Sequence, residues 1–291
     1  MSTQRSSSGR YLNQTIGVNL MRLATLVNAG VIVAIILYLV YNALPALSWE
    51  FVFDSPRDMM TKGGVWPCIV GTFFLAVGAT IIALPLGVAT AVYLTEYGGS
   101  GRFVSGVRLA VSNLSGVPSV IFGLFGLTFF VTLCGFGVSL ISGIFTLAVL
   151  ALPIVINTTE AALNQVPQSW REASLALGAS KKQTIFKIIL PAALPGILTG
   201  NILALSRVAG ETAAIMYTAA VFFTPKMSSS IFDPVMSLPY HIYVLATSSV
   251  NVEETRPLQY ATALLLVAMV LGLNMIALII RNRAQRKIAR Q

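Results

Sequence analysis

Two charged residues stand where charge is costly. Arg207 and Glu211 are four positions apart in a run that is otherwise apolar from about residue 188 to 216, and a helix would place them on one face. A charge at membrane depth costs roughly 2.5–3.5 kcal/mol on insertion scales and usually faces a bundle interior or a water-filled cavity. The same stripe runs through Gly196, Gly200, Ala204, Ala214 and Thr218, small or polar from end to end. Two chemistries fit. In one, Gly196 and Gly200 let a neighbouring helix approach closely, and the Arg–Glu pair is polar glue. In the other, the stripe lines a solute path, where the guanidinium stays charged and offers a planar fork of donors matching phosphate oxygens. Glu211 would then hold Arg207 while the path is empty, or accept a proton-bearing oxygen of the solute. Thr212 is placed in the pathway with them.

The residues just before this run are of a different kind. From Pro167 to Lys187 the chain is polar and basic. Ser169 and Glu172 have the S-x-x-E spacing of a capping box, Gly178 can end a short helix in the left-handed conformation, and Ser180 and Gln183 repeat the starting signal as S-x-x-Q. Two capped helices joined at a glycine predict a rigid elbow able to carry force from a partner into the apolar run.

The composition says what must position these groups. With 56% hydrophobic and only 10% charged residues, the chain falls far below the quarter charged that soluble domains carry. The expected fold class is all-α, a polytopic membrane protein of six transmembrane helices. Their expected ranges are Leu23–Leu47, Trp66–Leu94, Val107–Leu133, Leu140–Leu163, Ile188–Met216 and Leu258–Ile280, each near the roughly 20 residues a span needs. Residues 1–19 read as a flexible cytoplasmic tail, 20–281 as the transmembrane domain with its polar elbow at 167–187, and 282–291 as a basic cytoplasmic end. The first apolar run is too long for a signal-peptide core.

Charge sets the orientation and excludes other classes. Arg5, Arg10, Arg22, Arg102, Arg108, Arg171, Lys181, Lys182, Lys187, Arg281, Arg283, Arg286, Lys287 and Arg290 fall on one side of the predicted helices. Only Arg57, Lys62, Lys226 and Arg256 fall on the other, with Asp58 among the acids there. This asymmetry predicts both termini in the cytoplasm. The net charge of +9 is therefore a topology signal and no nucleic-acid patch. His241 is the only histidine, so a multi-histidine metal site is excluded. No His, Cys, Asp and Glu cluster falls at one membrane depth, so an enzyme is not expected, nor is a cofactor. Cys68 and Cys134 both fall near the outer ends of their helices, and the sequence leaves open whether they pair. The connection from Tyr217 to Pro257, broken by Pro225, Pro234 and Pro239, reads either as re-entrant segments lining an outer vestibule or as a plain surface loop.

With these residues in view, a resemblance emerges. Glu172-Ala173-Ser174, Gly178, Ile188, Leu190 and Pro191 match in spacing the EAA loop of ABC importer permeases, with Ser174 in place of the usual second alanine. The resemblance implies that Trp170, Arg171, Glu172, Ala173, Ser174 and Gly178 engage a cytoplasmic ATPase. The chain has no G-x-x-x-x-G-K-[ST] loop of its own, so ATP hydrolysis would fall to that partner.

Other segments narrow the resemblance to the PstA-type subunits of phosphate importers. These are Arg207-Val208-Ala209-Gly210-Glu211-Thr212-Ala213, Gly63-Gly64-Val65-Trp66-Pro67, Tyr93-Leu94-Thr95-Glu96-Tyr97 and Gly116-Val117-Pro118-Ser119-Val120-Ile121-Phe122-Gly123-Leu124. The resemblance implies a PstC-type permease partner, two copies of a PstB-type ATPase, a PstS-type binding protein, inorganic phosphate as solute, and an inner-membrane location. Sulfate and molybdate permeases carry a similar R-x-x-G-E element, which keeps those anions as the alternative. An ion-coupled secondary transporter would equally hold buried charges but leaves the elbow without a role. Whether Pro118 and Gly123 merely kink the third helix or shape a gate stays open.

Overall fold

The computed structural model describes residues 5–57, 60, 62–99, 101–224, 229–248 and 252–288. Asp58, Pro225, Lys226 and Arg290, which entered the charge and loop arguments above, lie outside the described residues.

The chain is almost wholly helical. Helix α1 (Arg5–Ala43) is followed by a single turn, α2 (Trp49–Phe53), and a two-residue ribbon of β1 (Pro56–Arg57) against β2 (Lys62–Gly63). Then come α3 (Trp66–Val92) with a π-helical end at Tyr93–Tyr97, α4 (Arg102–Leu114), and α5 (Ser119–Gly126) with a π-helical end at Leu127–Leu133. Helix α6 (Leu140–Asn164) leads to α7 (Gln168–Ala176) and α8 (Lys181–Thr184), which continues through a π turn at Ile185–Ile189 into α9 (Leu190–Ala209). The chain closes with α10 (Ala213–Thr218), α11 (Leu238–Thr247) and α12 (Val252–Ile288). Among the described residues, five helices are long and apolar enough to span a membrane, or six if the bent pair α4–α5 counts as one.

Helices α3, α6 and α9 form the centre. Their contact faces are lined by Leu75, Ala79, Ala83, Leu147, Ala151, Val155 and Ala204, all buried. Small residues set the spacing: a Cβ on Gly87 of α3 would come within 2.6 Å of Val155 on α6, so these backbones pack at close range. Helix α1 and the outer face of α12 leave apolar residues exposed, among them Leu26, Leu37, Leu271 and Ile276, while Ala261, Leu264 and Leu273 of α12 pack on the core. Such faces need lipid or another membrane subunit.

Several expectations need correction. The segment read as a flexible tail is helical from Arg5, because no proline interrupts the run between it and the membrane. The third span is no single helix: α4 and α5 meet at 106°. The break falls at Ser115–Pro118, where proline disfavours helix in the residue before it. Helix α4 is amphipathic, burying Val104 and Val111 while Ser105, Ser112 and Asn113 are exposed. The fifth span stops at Ala209 instead of reaching Met216. Cys68 is buried, Cys134 is exposed, and both are free.

Candidate translocation site and coupling loop

Gly196 and Gly200 bring α9 against α6. A Cβ on Gly196 would sit 2.6 Å from the Ala162 Cβ, and one on Gly200 would collide with the Thr158 hydroxyl. These contacts fix an antiparallel register. Continued along α9, it brings Arg207 level with about Ala151, in the middle of the Leu140–Asn164 helix. Arg207 is exposed there and makes no hydrogen bond or ion pair with any described residue. Ordinary lipid is a poor environment for an unpaired guanidinium at that depth.

The expected Arg207–Glu211 pair is absent. Helix α9 ends at Gly210, so the two residues do not share one helical face. The Glu211 side chain turns to the next element instead, its Oε1 accepting from the Ala214 amide at 3.3 Å, at the start of α10. Glu211 and Thr212 are half-buried in the break between the two helices. Non-helical backbone at membrane depth is tolerated where protein covers it or where it borders a water-filled cavity.

The break is braced from behind. Gly123 of α5 lies so close to α10 that a Cβ would meet Tyr217 at 2.9 Å and Ala214 at 3.0 Å. Gly126 packs against Thr146 of α6 and Thr218 of α10. The Ser119–Leu124 stretch therefore begins a helix after Pro118 and serves as a platform for α10; Gly123 produces no kink. At the far end of the bundle, the Tyr217–Pro257 connection is tied down. Ser139 N donates to Thr218 O at 3.0 Å, Leu140 N to Asp233 O at 2.9 Å, and Leu238 N to Thr72 Oγ1 at 2.8 Å. Asp233 collects the amides of Ser229 and Ser230, both 2.9 Å, which hold its carboxyl below the usual range. Helix α11 buries His241. Among its described residues, Val235, Met236, Leu238, His241, Val244 and Leu245 pack inward, while Ile231, Phe232 and Tyr243 stay exposed.

The elbow forms as two short helices with a left-handed residue between them. Gly178 has φ +82°, and Ala179 N reaches back to Ser174 O at 3.2 Å. Ser180 and Gln183 make both bonds of a capping box, 2.8 and 3.3 Å. Ser169 does not cap: Pro167 occupies the cap position, so α7 starts two residues earlier than the S-x-x-E spacing predicts. Helix α7 has two faces. Trp170, Glu172, Ala173, Leu175, Leu177 and Gly178 are exposed, Leu177 at 89%. Ser174 is buried and shares a hydrogen bond with Thr184 at 2.8 Å. Arg171 also turns inward, to Glu96 at the end of α3, 2.9 Å away. Glu96 entered the sequence reading only as part of Tyr93–Tyr97; its partner lies 75 residues on, beyond any local spacing rule.

A bent, broken-helix bundle with an exposed apolar elbow is the form of a transport subunit. Residues 83–290 match the family described as binding-protein-dependent transport system inner membrane component, and the chain belongs to that family. It is a multi-pass inner-membrane permease subunit of an ABC importer. It is 37% identical over 244 residues to the phosphate transport system permease protein PstA of Haemophilus influenzae, covering 82% of this chain and 83% of that one. To PstA of Mycobacterium leprae it is 40% identical over 238 residues, covering 80% and 76%. To the probable ABC transporter permease protein YqgI of Bacillus subtilis it is 31% identical over 280 residues, covering 92% and 95%. Among solved structures, the MetNI methionine ABC transporter in inward-facing conformations shares the fold, with TM-score 0.60 at 23% identity over 76% of this chain and 94% of that one. So does a bacterial ABC transporter involved in alginate import, with TM-score 0.53 at 16% identity over 90% and 96%.

Proposed function

We propose that this chain is the PstA-like permease subunit of an ATP-driven importer of inorganic phosphate. The observation that carries the pathway is Arg207: an exposed, unpaired guanidinium near the middle of the bundle, one turn before a break in the helix. A fixed planar charge there suits a tetrahedral oxyanion in transit. Glu211 and Thr212 border the same break and supply an acceptor and a hydroxyl to the protonated oxygens of the solute. The names of the relatives support phosphate over sulfate or molybdate.

The partners follow from the same reading. A PstC-type permease faces Arg207 and completes the path, two PstB-type ATPases bind the pair of permeases, and a PstS-type protein delivers phosphate. The basic end lies in the cytoplasm with both termini, as the distribution of Arg and Lys requires. Trp170, Glu172, Ala173, Leu175 and Leu177 form the surface that enters the ATPase. ATP-driven closure moves α7 and opens the path outward.

The test is growth and uptake in cells lacking the protein. Restoring the chain is expected to rescue growth on limiting phosphate, with uptake that stops on ATP depletion. Rescue on limiting sulfate or molybdate instead, or uptake that survives ATP depletion, overturns the proposal.

A further inference from the structure

A cation from each half of the elbow reaches the same turn of α3. Arg171 places Nε and Nη2 on one oxygen of Glu96, at 3.2 and 2.9 Å. Its Nη1 donates to Val166 O at 2.6 Å, and Nη2 also to Leu163 O at 2.9 Å, at the end of α6. The two side chains are only 14% and 8% exposed. Lys181 of α8 stands 4.9 Å from the ring centroid of Tyr97, the neighbour of Glu96. The turn that carries Glu96 and Tyr97 is π-helical, closed by Gly98 N on Tyr93 O at 2.7 Å, and such turns often mark functional positions. A buried ion pair adds little net stability, yet losing one partner is strongly disruptive. The arrangement therefore favours one fixed geometry between α7, α6 and α3.

We propose that Arg171 is a positioning residue for coupling, not an ATPase contact. Its ion pair with Glu96 makes α7, the end of α6 and the end of α3 move as one unit. A push on the exposed face of α7 then reaches α3 directly, in parallel with the covalent route through α8 into α9. This rests on the reading of α7 as the ATPase-docking helix. Helix α3 packs along α6 and α9, so the second route leads to the helix that carries Arg207.

The proposal is tested on the full complex reconstituted in liposomes with its ATPase and phosphate-loaded binding protein. Glu96→Gln, Arg171→Gln and the double variant are compared with wild type. The ATPase is expected to co-purify in all three with basal hydrolysis within about two-fold, while phosphate moved per ATP falls by about ten-fold or more in each single variant and no further in the double. Loss of ATPase from Arg171→Gln alone, with Glu96→Gln normal, would make Arg171 a docking contact and overturn the proposal. So would normal transport per ATP in both single variants.

A second readout depends neither on the solute nor on a variant of the pair. With Cys134→Ser removing the exposed thiol, spin labels are placed through Gln168→Cys on α7 and Tyr93→Cys on α3, both exposed positions. Their separation is expected to stay constant when ATP is added. A separation that changes with ATP means α7 slides on α3, and the latch is wrong. The docking reading fails on a different result, retention of the ATPase by Leu177→Asp.

Discussion

Gly200 on α9 lies so close to Thr158 on α6 that no β-carbon fits between them. That approach, with Gly196 on Ala162 one turn away, is what sets the depth of Arg207. Gly200→Val is therefore expected to force the two helices apart. The cost is on the order of 1–3 kcal/mol, as for overpacked cores, and appears as a lower thermal midpoint of the solubilised complex. Gly210→Ala is the control. The nearest atoms to a Cβ there are 3.9 and 4.0 Å away, so its midpoint is expected to stay at the wild-type value.

Leu177 is the most exposed large apolar residue of the elbow. It contributes little to this chain's own packing, so Leu177→Asp is expected to leave the permease folded. If the elbow enters a cleft on the ATPase, the carboxylate is buried without a partner, and ATPase recovery in affinity purification falls by at least about ten-fold. Undiminished recovery contradicts the assignment.

At Gly178 the constraint is conformational alone. Its φ is +82° and a Cβ would meet nothing within 4 Å. A β-branched residue there is disfavoured by roughly 1–2 kcal/mol. Gly178→Val is thus expected to lower transport by misdirecting α7 against α8, whereas Gly178→Asn, which tolerates the left-handed region better, keeps most of it. Equal loss in both variants would mean that the surface itself excludes any side chain.

The parts of this molecule legible in its sequence are those set by local rules. Hydropathy found the central helices, and Ser180, Gln183 and Gly178 announced the elbow through capping and backbone freedom. What escaped depended on distant partners. The apolar run through Ala209 and Met216 gave no hint that α9 ends at Gly210, because the stop is fixed by α10 packing on Gly123 and by the Glu211 carboxylate turning to Ala214. Nor could spacing reveal that Arg171 looks inward to Glu96. The proline rule marked Pro118 as a place for a kink, but not that the two halves would meet at 106°, which depends on α5 packing against α10.

His241 links pH to stability. Burial pushes its imidazole down to about 4, from an ordinary 6.5, and its Nδ1 has no hydrogen-bond partner among the described residues. The unfolded chain binds a proton below 6.5 that the folded one refuses until about 4. Stability is therefore complete above 6.5, falls as pH drops between these values, and levels off below. A gap of this size corresponds to roughly 3 kcal/mol over the whole window. His241→Phe is expected to flatten this part of the midpoint-against-pH curve between pH 7 and 4.5. An unchanged slope would assign the acid sensitivity to other groups.

On the proposed reading the exposed guanidinium of Arg207, near the middle of the bundle, meets the solute. The most direct test is radiolabelled phosphate uptake by vesicles carrying the complex with Arg207→Gln, with ATPase co-purification measured on the same preparation. Uptake is expected to fall by about a hundred-fold or more, in keeping with loss of a charged contact of about 3 kcal/mol, while the ATPase remains bound. Normal uptake with an intact complex would contradict it and leave Arg207 a structural residue at the permease–permease interface.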